Sequence, residues 1–163
     1  MLLVVSDTNV LIDMEIGGLV GSLFRLGYEI VVADVAFEEE LRAQHADLLT
    51  MGLGVRSLSP DSVARVAELS KRYRKPSRND LFGLVLAEQE ECLLLTGDEH
   101  LRAVAAAERV EVHGTLWVIE EMVRQGLIAT AVAHAAYEAM QAAGRRLPWE
   151  DAHRRVDEVA CDP

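Results

Sequence analysis

Four carboxylic acids stand where short apolar runs end or turn into helices. They are Asp7 after Leu3-Val4-Val5-Ser6, Glu40 within Phe37-Glu38-Glu39-Glu40-Leu41, Asp80 within Arg78-Asn79-Asp80-Leu81, and Asp98 after Leu95-Thr96-Gly97. A carboxylate that follows a hydrophobic strand emerges at the strand's carboxyl end, where open α/β sheets form their ligand sites. Several such acids brought together repel one another unless a cation neutralises them. Oxygen donors of this kind suit Mg²⁺ or Mn²⁺. Zinc has little support, because His45, His100, His113, His134 and His153 are scattered and no histidine–cysteine spacing matches a zinc site. Gly17-Gly18, Gly52 and Gly54 lack the lysine and spacing of a phosphate-binding loop, and Ser6 has no nucleophile-elbow context.

Each acid also has a plainer role. Asp7 and Asp98 can cap the helices that follow them, and Asp80 suits the first turn of a helix, where negative charge favours the dipole. Thr8 and Asn9 are alternative caps, which would leave Asp7 free to face the crevice. Glu38 and Glu39 read as a solvated helix face. Glu40 lies on the edge of the stripe made by Phe37 and Leu41, because residues three and four apart share a helix face; Glu39 is the reserve.

The elements that must position these acids follow from hydrophobic periodicity. Residues 2–5, 30–33, 55–58, 92–95 and 110–112 read as strands. Between them lie two short helices broken at Gly17-Gly18, a helix started by Asp34, one capped by Ser59 with Pro60 in its first turn, one from Asn79 to Glu90, and one from the Asp98 turn to Ala107. Val63, Val66, Ala67 and Leu69 are the expected inward stripe of the Ser59 helix, and Leu81, Leu84, Val85 and Ala87 that of the next. Alternating strands and helices predict an α/β fold of three layers, α/β/α, around a mostly parallel sheet of about five strands. From Thr115 onward only extra C-terminal helices are expected: Leu116 to Gln125, Thr130 to Ala143, and one from Trp149. Trp117 and Met122 read as core or subunit interface.

The 163 residues suit one domain, and a formal net charge of −11 argues against general affinity for nucleic acid or anionic membrane. Bound divalent ions and a local basic patch can still serve a nucleic-acid enzyme. No apolar stretch approaches the roughly 20 residues of a membrane span. Met1 to Val5 lacks the basic segment and apolar core of a secretion signal. Cys92 and Cys161 form no disulfide framework, so a cytoplasmic location is expected.

In order, these motifs resemble those of the PIN-domain family of metal-dependent ribonucleases, which includes toxins of the VapC type. Val4-Val5-Ser6-Asp7-Thr8-Asn9-Val10-Leu11-Ile12-Asp13 is similar to the family's opening motif, and Val31 to Leu41 to its second, with the glutamate falling on Glu40. Asn79-Asp80-Leu81 and Leu93-Leu94-Leu95-Thr96-Gly97-Asp98 complete the pattern. The similarity implies a nuclease domain over residues 1–128 and a helical extension, 129–163, packed on the same domain. It implies that Asp7, Glu40, Asp80 and Asp98 hold one or two Mg²⁺ or Mn²⁺ ions for RNA phosphodiester hydrolysis, with Thr8, Asn9 and Thr96 orienting the ligands. It also implies homodimerisation and, for a toxin, an antitoxin protein partner.

Two phosphoryl-transfer alternatives fail on residue type. A haloacid-dehalogenase-type site needs a second acid where Asn9 stands, and a receiver domain needs an acid pair that Ser6-Asp7 does not supply. A catalytically silent PIN-like module that binds RNA or protein is the alternative from another class. Lys71, Arg72, Arg74, Lys75 and Arg78 precede Asp80 and offer a phosphate-gripping rim, with Tyr73 placed to stack on a base. Removing charge at Arg74 and Lys75 is expected to weaken RNA binding and flatten its salt dependence; a titration across salt concentrations with an unchanged slope would reduce these residues to ordinary helix-end solvation.

Overall fold

Apolar runs long enough to be covered on both faces become the inner strands of the computed structural model, which describes residues 1–161. The last two residues of the expected extension, Asp162 and Pro163, lie outside that range. The strands are β1 (Leu2–Ser6), β2 (Tyr28–Ala33), β3 (Gly54–Arg56), β4 (Leu93–Leu95) and β5 (Val112–His113), in the spatial order β3-β2-β1-β4-β5. Every neighbouring pair is parallel, with Val4 beside both Ile30 and Leu93. Val4, Val5, Ile30, Val31, Val32 and Leu94 are fully buried, as a sheet covered on both faces requires.

The edge strands differ from the expected spans for local reasons. Val110 is taken by the preceding helix, since its N–H donates to Ala105 C=O, so β5 starts later. β3 ends at Arg56 because Ser57 turns its hydroxyl to Asp34 and Ser59 begins a helix cap.

One helical layer consists of α6 (Pro60–Arg72), α7 (Arg78–Gln89) and α8 (Glu99–Ala107), with α7 against β1, β2 and β4. All four expected inward residues of α7 are buried, joined by Phe82 and Leu86, because α6 and α8 flank it. The stripe on α6 is narrower than expected: Val66 and Leu69 are buried, whereas Val63 and Ala67 are exposed. An outer helix that leans mainly on one neighbour buries only an i, i+3 edge.

The other layer is built from α1 (Thr8–Ile16), α2 (Val20–Leu23) and α9 (Thr115–Arg124). α10 (Thr130–Ala142) packs on α1 and α9, and α11 (Trp149–Cys161) on α9 and α10. Gly17 permits the closest of these approaches, since a Cβ there would stand 2.8 Å from the Met140 side chain and 3.1 Å from Ala136. After β2 the chain forms α3 (Asp34–Ala36), a π turn over Phe37–Leu41, α4 (Arg42–His45) and α5 (Leu48–Met51). The last two occupy a stretch that sequence periodicity leaves as a link. The cap of α3 is Ala33 rather than Asp34, whose carboxylate accepts from the Val35 N–H and the Ser57 hydroxyl. Among the described residues, no helix is long and apolar enough to cross a membrane.

Asp13, only 6% exposed, ties α1 to the start of α9 and to the segment after α10 within one layer. Its carboxylate accepts from Arg145 Nε at 2.6 Å and from the Thr115 hydroxyl at 2.8 Å. Arg145 also donates to the backbone and side-chain oxygens of Asn9. Removing the guanidinium would leave a buried carboxylate unpaired, which costs about 3–5 kcal/mol when both groups are buried. Arg145 retains a quarter of its side-chain exposure, so Arg145→Met is expected to cost about 2 kcal/mol, or roughly 4–8 °C in Tm for a chain of this size. Thermal melts of Arg145→Met and of the double variant Asp13→Leu/Arg145→Met test this, with the second expected to recover part of the loss; equal melts for wild type and the single variant would refute it.

Candidate active site

The order β3-β2-β1-β4-β5 changes direction between β1 and β4, and a crevice opens at the carboxyl ends of such a strand pair. Asp7 sits there. Its N–H donates to Leu95 C=O at 2.7 Å, carrying the β1–β4 ladder one residue past the strand end. The residue is extended and caps α1 itself, so neither Thr8 nor Asn9 takes that part. One carboxylate oxygen accepts from the Asn9 N–H at 3.3 Å, the other from the buried Thr96 hydroxyl at 2.9 Å.

Thr8, buried one residue on, donates its hydroxyl to Glu40 at 2.9 Å. Glu40 comes from the π turn, and its two neighbours point elsewhere: Glu38 pairs with Arg42, and Glu39 accepts from Arg78 and the Asn79 side-chain amide. Consecutive helical residues diverge around the axis, so of the three glutamates only Glu40 turns toward Asp7.

Asp80 enters from the first turn of α7, in a capping box with Ser77. The Ser77 hydroxyl accepts from the Asp80 N–H, and one Asp80 oxygen accepts from the Ser77 N–H at 2.9 Å. Asp7, Thr8, Glu40, Asn79 and Asp80 line one small cavity of about 10 Å³, close to the space one water occupies. Asn79 Oδ1 is buried there without a hydrogen-bond partner. Its amide nitrogen is fixed by Glu39, which turns the acceptor oxygen away from that carboxylate. Sequence reading passes over Asn79, although an amide beside Asp80 was available as a signal.

Asp98 stands apart from this trio. It caps α8 through the Leu101 N–H at 2.8 Å, and its own N–H donates to the Thr96 hydroxyl oxygen. It faces an adjoining cleft of about 420 Å³ shared with Asp7, Asn9, Arg145 and Arg146. Among the described residues, no three His, Cys, Asp or Glu side chains are grouped as a ready-made metal cage. The chemistry of the donors nonetheless fits a hard cation, with three carboxylates and an orphaned amide oxygen around one small space. Mg²⁺ in particular keeps several waters and takes one or two carboxylates directly.

Burial holds the Asp7 carboxyl above the usual carboxylate range. Hydrogen bonds from Thr96 and Asn9 oppose that shift, and the negative charges of Asp80 and Glu40 push it further up. The basic residues before Asp80 divide. Arg72 and the Tyr73 hydroxyl are engaged by Glu108, and Arg78 bridges to Glu39 beside the site. Lys71, Arg74 and Lys75 are exposed, without an ion-pair partner among the described residues. Arg145 and Arg146, which reach the Asp7–Asp98 cleft, went unread because they lie far along the chain in a helical tail. A dibasic pair directly after Gly144 was their only mark.

The all-parallel five-stranded sheet between helical layers, with Asp7, Glu40 and Asp80 at its switch point, is a three-layer α/β/α fold of the PIN type. The family DUF3368, described as a PIN domain, matches residues 3–159, and the chain belongs to the PIN-domain family. The match runs past residue 128, where the motif resemblance ends, through α10 and into α11. PIN domains are usually nucleases. No curated protein matches the chain.

Because Asp7 titrates higher when folded, the stability its neutral form lends is complete at low pH and fades as pH rises through that raised value. Asp7→Asn carries no charge and can keep both hydrogen bonds, with Thr96 rotating its hydroxyl. The variant is expected to melt above wild type at pH 7.5, the gap closing toward pH 4. Melts that coincide at neutral pH would show that Asp7 ionises without cost.

Proposed function

We propose that the chain is a Mg²⁺- or Mn²⁺-dependent ribonuclease that hydrolyses RNA phosphodiester bonds. The observation that carries this reading is the small cavity where Asp7, Glu40 and Asp80 meet the unpartnered Asn79 oxygen. The buried Asn79 oxygen has no donor to satisfy it, whereas a cation entering there would satisfy it and offset the charge on the neighbouring carboxylates. When bound, the ion would supply a more acidic water and offset the charge that builds on the phosphodiester oxygens.

The chain's own residues then have separate duties. Asp7, Glu40 and Asp80, from three different elements, would hold the ion, with Asn79 adding a neutral oxygen. Thr96 and Asn9 fix the Asp7 carboxylate, and Thr8 fixes Glu40. Asp98, which faces the adjoining cleft with Asp7, would hold a second ion or take a proton through water. Toxin activity, an antitoxin partner and a homodimer have their support in the motif resemblance.

A second reading also has an observation in its favour. Asp80 and Asp98 both serve as helix caps, and among the described residues no ready-made cage exists, as in a catalytically silent module that binds RNA or protein. Incubating a mixed single-stranded RNA pool with the protein while titrating Mn²⁺ separates the two. Cleavage that saturates with metal, and falls by roughly 100-fold or more in Asp80→Asn, is expected; losing only an outer-shell partner typically costs 10–100-fold. The asparagine oxygen can still accept from the Ser77 N–H, so the helix cap survives. No cleavage by wild type at any Mn²⁺ or Mg²⁺ concentration would favour the silent module.

A further inference from the structure

The cleft holding Asp7 and Asp98 does not end at Arg146. Gly97, Arg146 and Leu147 also line a second cavity of about 560 Å³, which continues past the starts of α8 and α9. Three arginines line it: Arg155 is paired with Glu120, while Arg102 and Arg146 are exposed and without a carboxylate partner among the described residues. Arg42, Arg56, Arg65, Arg72, Arg78 and Arg145 are engaged by carboxylates, whereas Arg102 and Arg146, like Lys71, Arg74 and Lys75, keep their charge open to a ligand. Glu99 is the one acid in the lining.

The wall opposite is aromatic. Trp117, half-buried, stacks on His113 with ring centroids 4.2 Å apart and planes 15° apart. Trp117 packs against the core on one side, as expected, and its half-exposed ring lines this cavity, whereas Met122 is fully buried. Gly114 leaves the space beside Arg102: a Cβ there would stand 3.2 Å from Nη1. The support for Arg146 comes from its neighbour. Arg145 is pinned inward on Asp13 and Asn9, while Gly144, at φ +82°, turns the chain so that Arg146 faces the groove.

We propose that this groove carries the single-stranded RNA flanking the scissile phosphate, with Arg146 and Arg102 on the backbone phosphates and the Trp117–His113 stack receiving a base. Unpaired cations beside a stacked aromatic surface are the combination by which single strands are held without base pairing. The groove joins the acid cluster through Gly97 and Arg146, so a strand lying in it passes Asp98 on its way to Asp7. This proposal rests on the ribonuclease reading for the identity of the strand.

The test uses the whole chain and a fluorescein-labelled mixed-sequence RNA 12-mer, with EDTA present so that nothing is cut. Polarisation is followed across salt concentrations for wild type and for R102Q/R146Q, whose exposed positions leave folding intact. Each phosphate contact on a single strand contributes roughly 0.7 to the slope of log affinity against log salt, so the double variant is expected to lose about 1.4. In W149F, where Trp117 is the only tryptophan left, RNA is expected to quench the emission.

Any of these overturns the groove: no RNA binding by wild type, an unchanged slope and affinity in R102Q/R146Q, or no quenching in W149F. Displacement of the RNA by an equal phosphate concentration of a mononucleotide also does so, marking a nucleotide pocket instead. The two readings fail separately. A protein that binds with the expected slope but cuts nothing in Mn²⁺ keeps the groove and loses the nuclease; one that cuts RNA with R102Q/R146Q binding unchanged does the reverse.

Discussion

The hydrogen bond from the Asp7 N–H to Leu95 C=O sits at the point where the sheet changes direction, and the site is assembled around it. It holds the end of β1 against the end of β4 beyond the last paired residues. Asp7 and Thr96 are thereby brought within side-chain reach, although 89 residues separate them. The Thr96 hydroxyl donates to Asp7 and accepts from the Asp98 N–H, so one buried oxygen relates the two acids. Thr8 extends the same logic to Glu40. Loss of this junction would free four carboxylates from the frame that sets their separation.

What could be read from the residues divides along a physical line. Continuous apolar runs marked the buried strands, since burial on both faces leaves no alternation to misread. The helix breaks at Gly17-Gly18 and the Ser59-Pro60 start followed from backbone chemistry that acts within a few residues. Harder features depended on distant partners. Val63 and Ala67 match a helical stripe, yet only packing decides that the helix beneath them meets α7 along a narrower edge. The π turn at Phe37–Leu41 has no local signature; the Phe37–Leu41 stripe singled out Glu40, but the partners that part it from Glu39, Thr8 and Asn79, come from other elements.

The four acids themselves were legible, whereas their grouping was not. Spacing in the chain says that each ends an element, but it cannot say that Asp7, Glu40 and Asp80 share one cavity while Asp98 faces the next. Cap geometry makes that division. Asp80 is drawn toward Ser77 and Asp98 toward Leu101, so the same bonds that start two helices also set how far each carboxylate reaches. Helix capping and ion binding compete for the same oxygens, and a cation gains Asp80 or Asp98 fully only where its pull exceeds that of the cap.

The contact between Arg145 and Asp13 spans 132 residues of chain. During synthesis the amino-terminal half emerges first, carrying Asp7, Asp13, Glu40 and the strands β1 and β2 before their most distant support exists. Contacts of such long sequence separation form late, because the intervening loop must close before they give anything back. A nascent chain halted near residue 128 therefore holds all four acids with Asp13 still unneutralised. The carboxylate at the foot of α1 thus depends for its counter-charge on an arginine that follows α10.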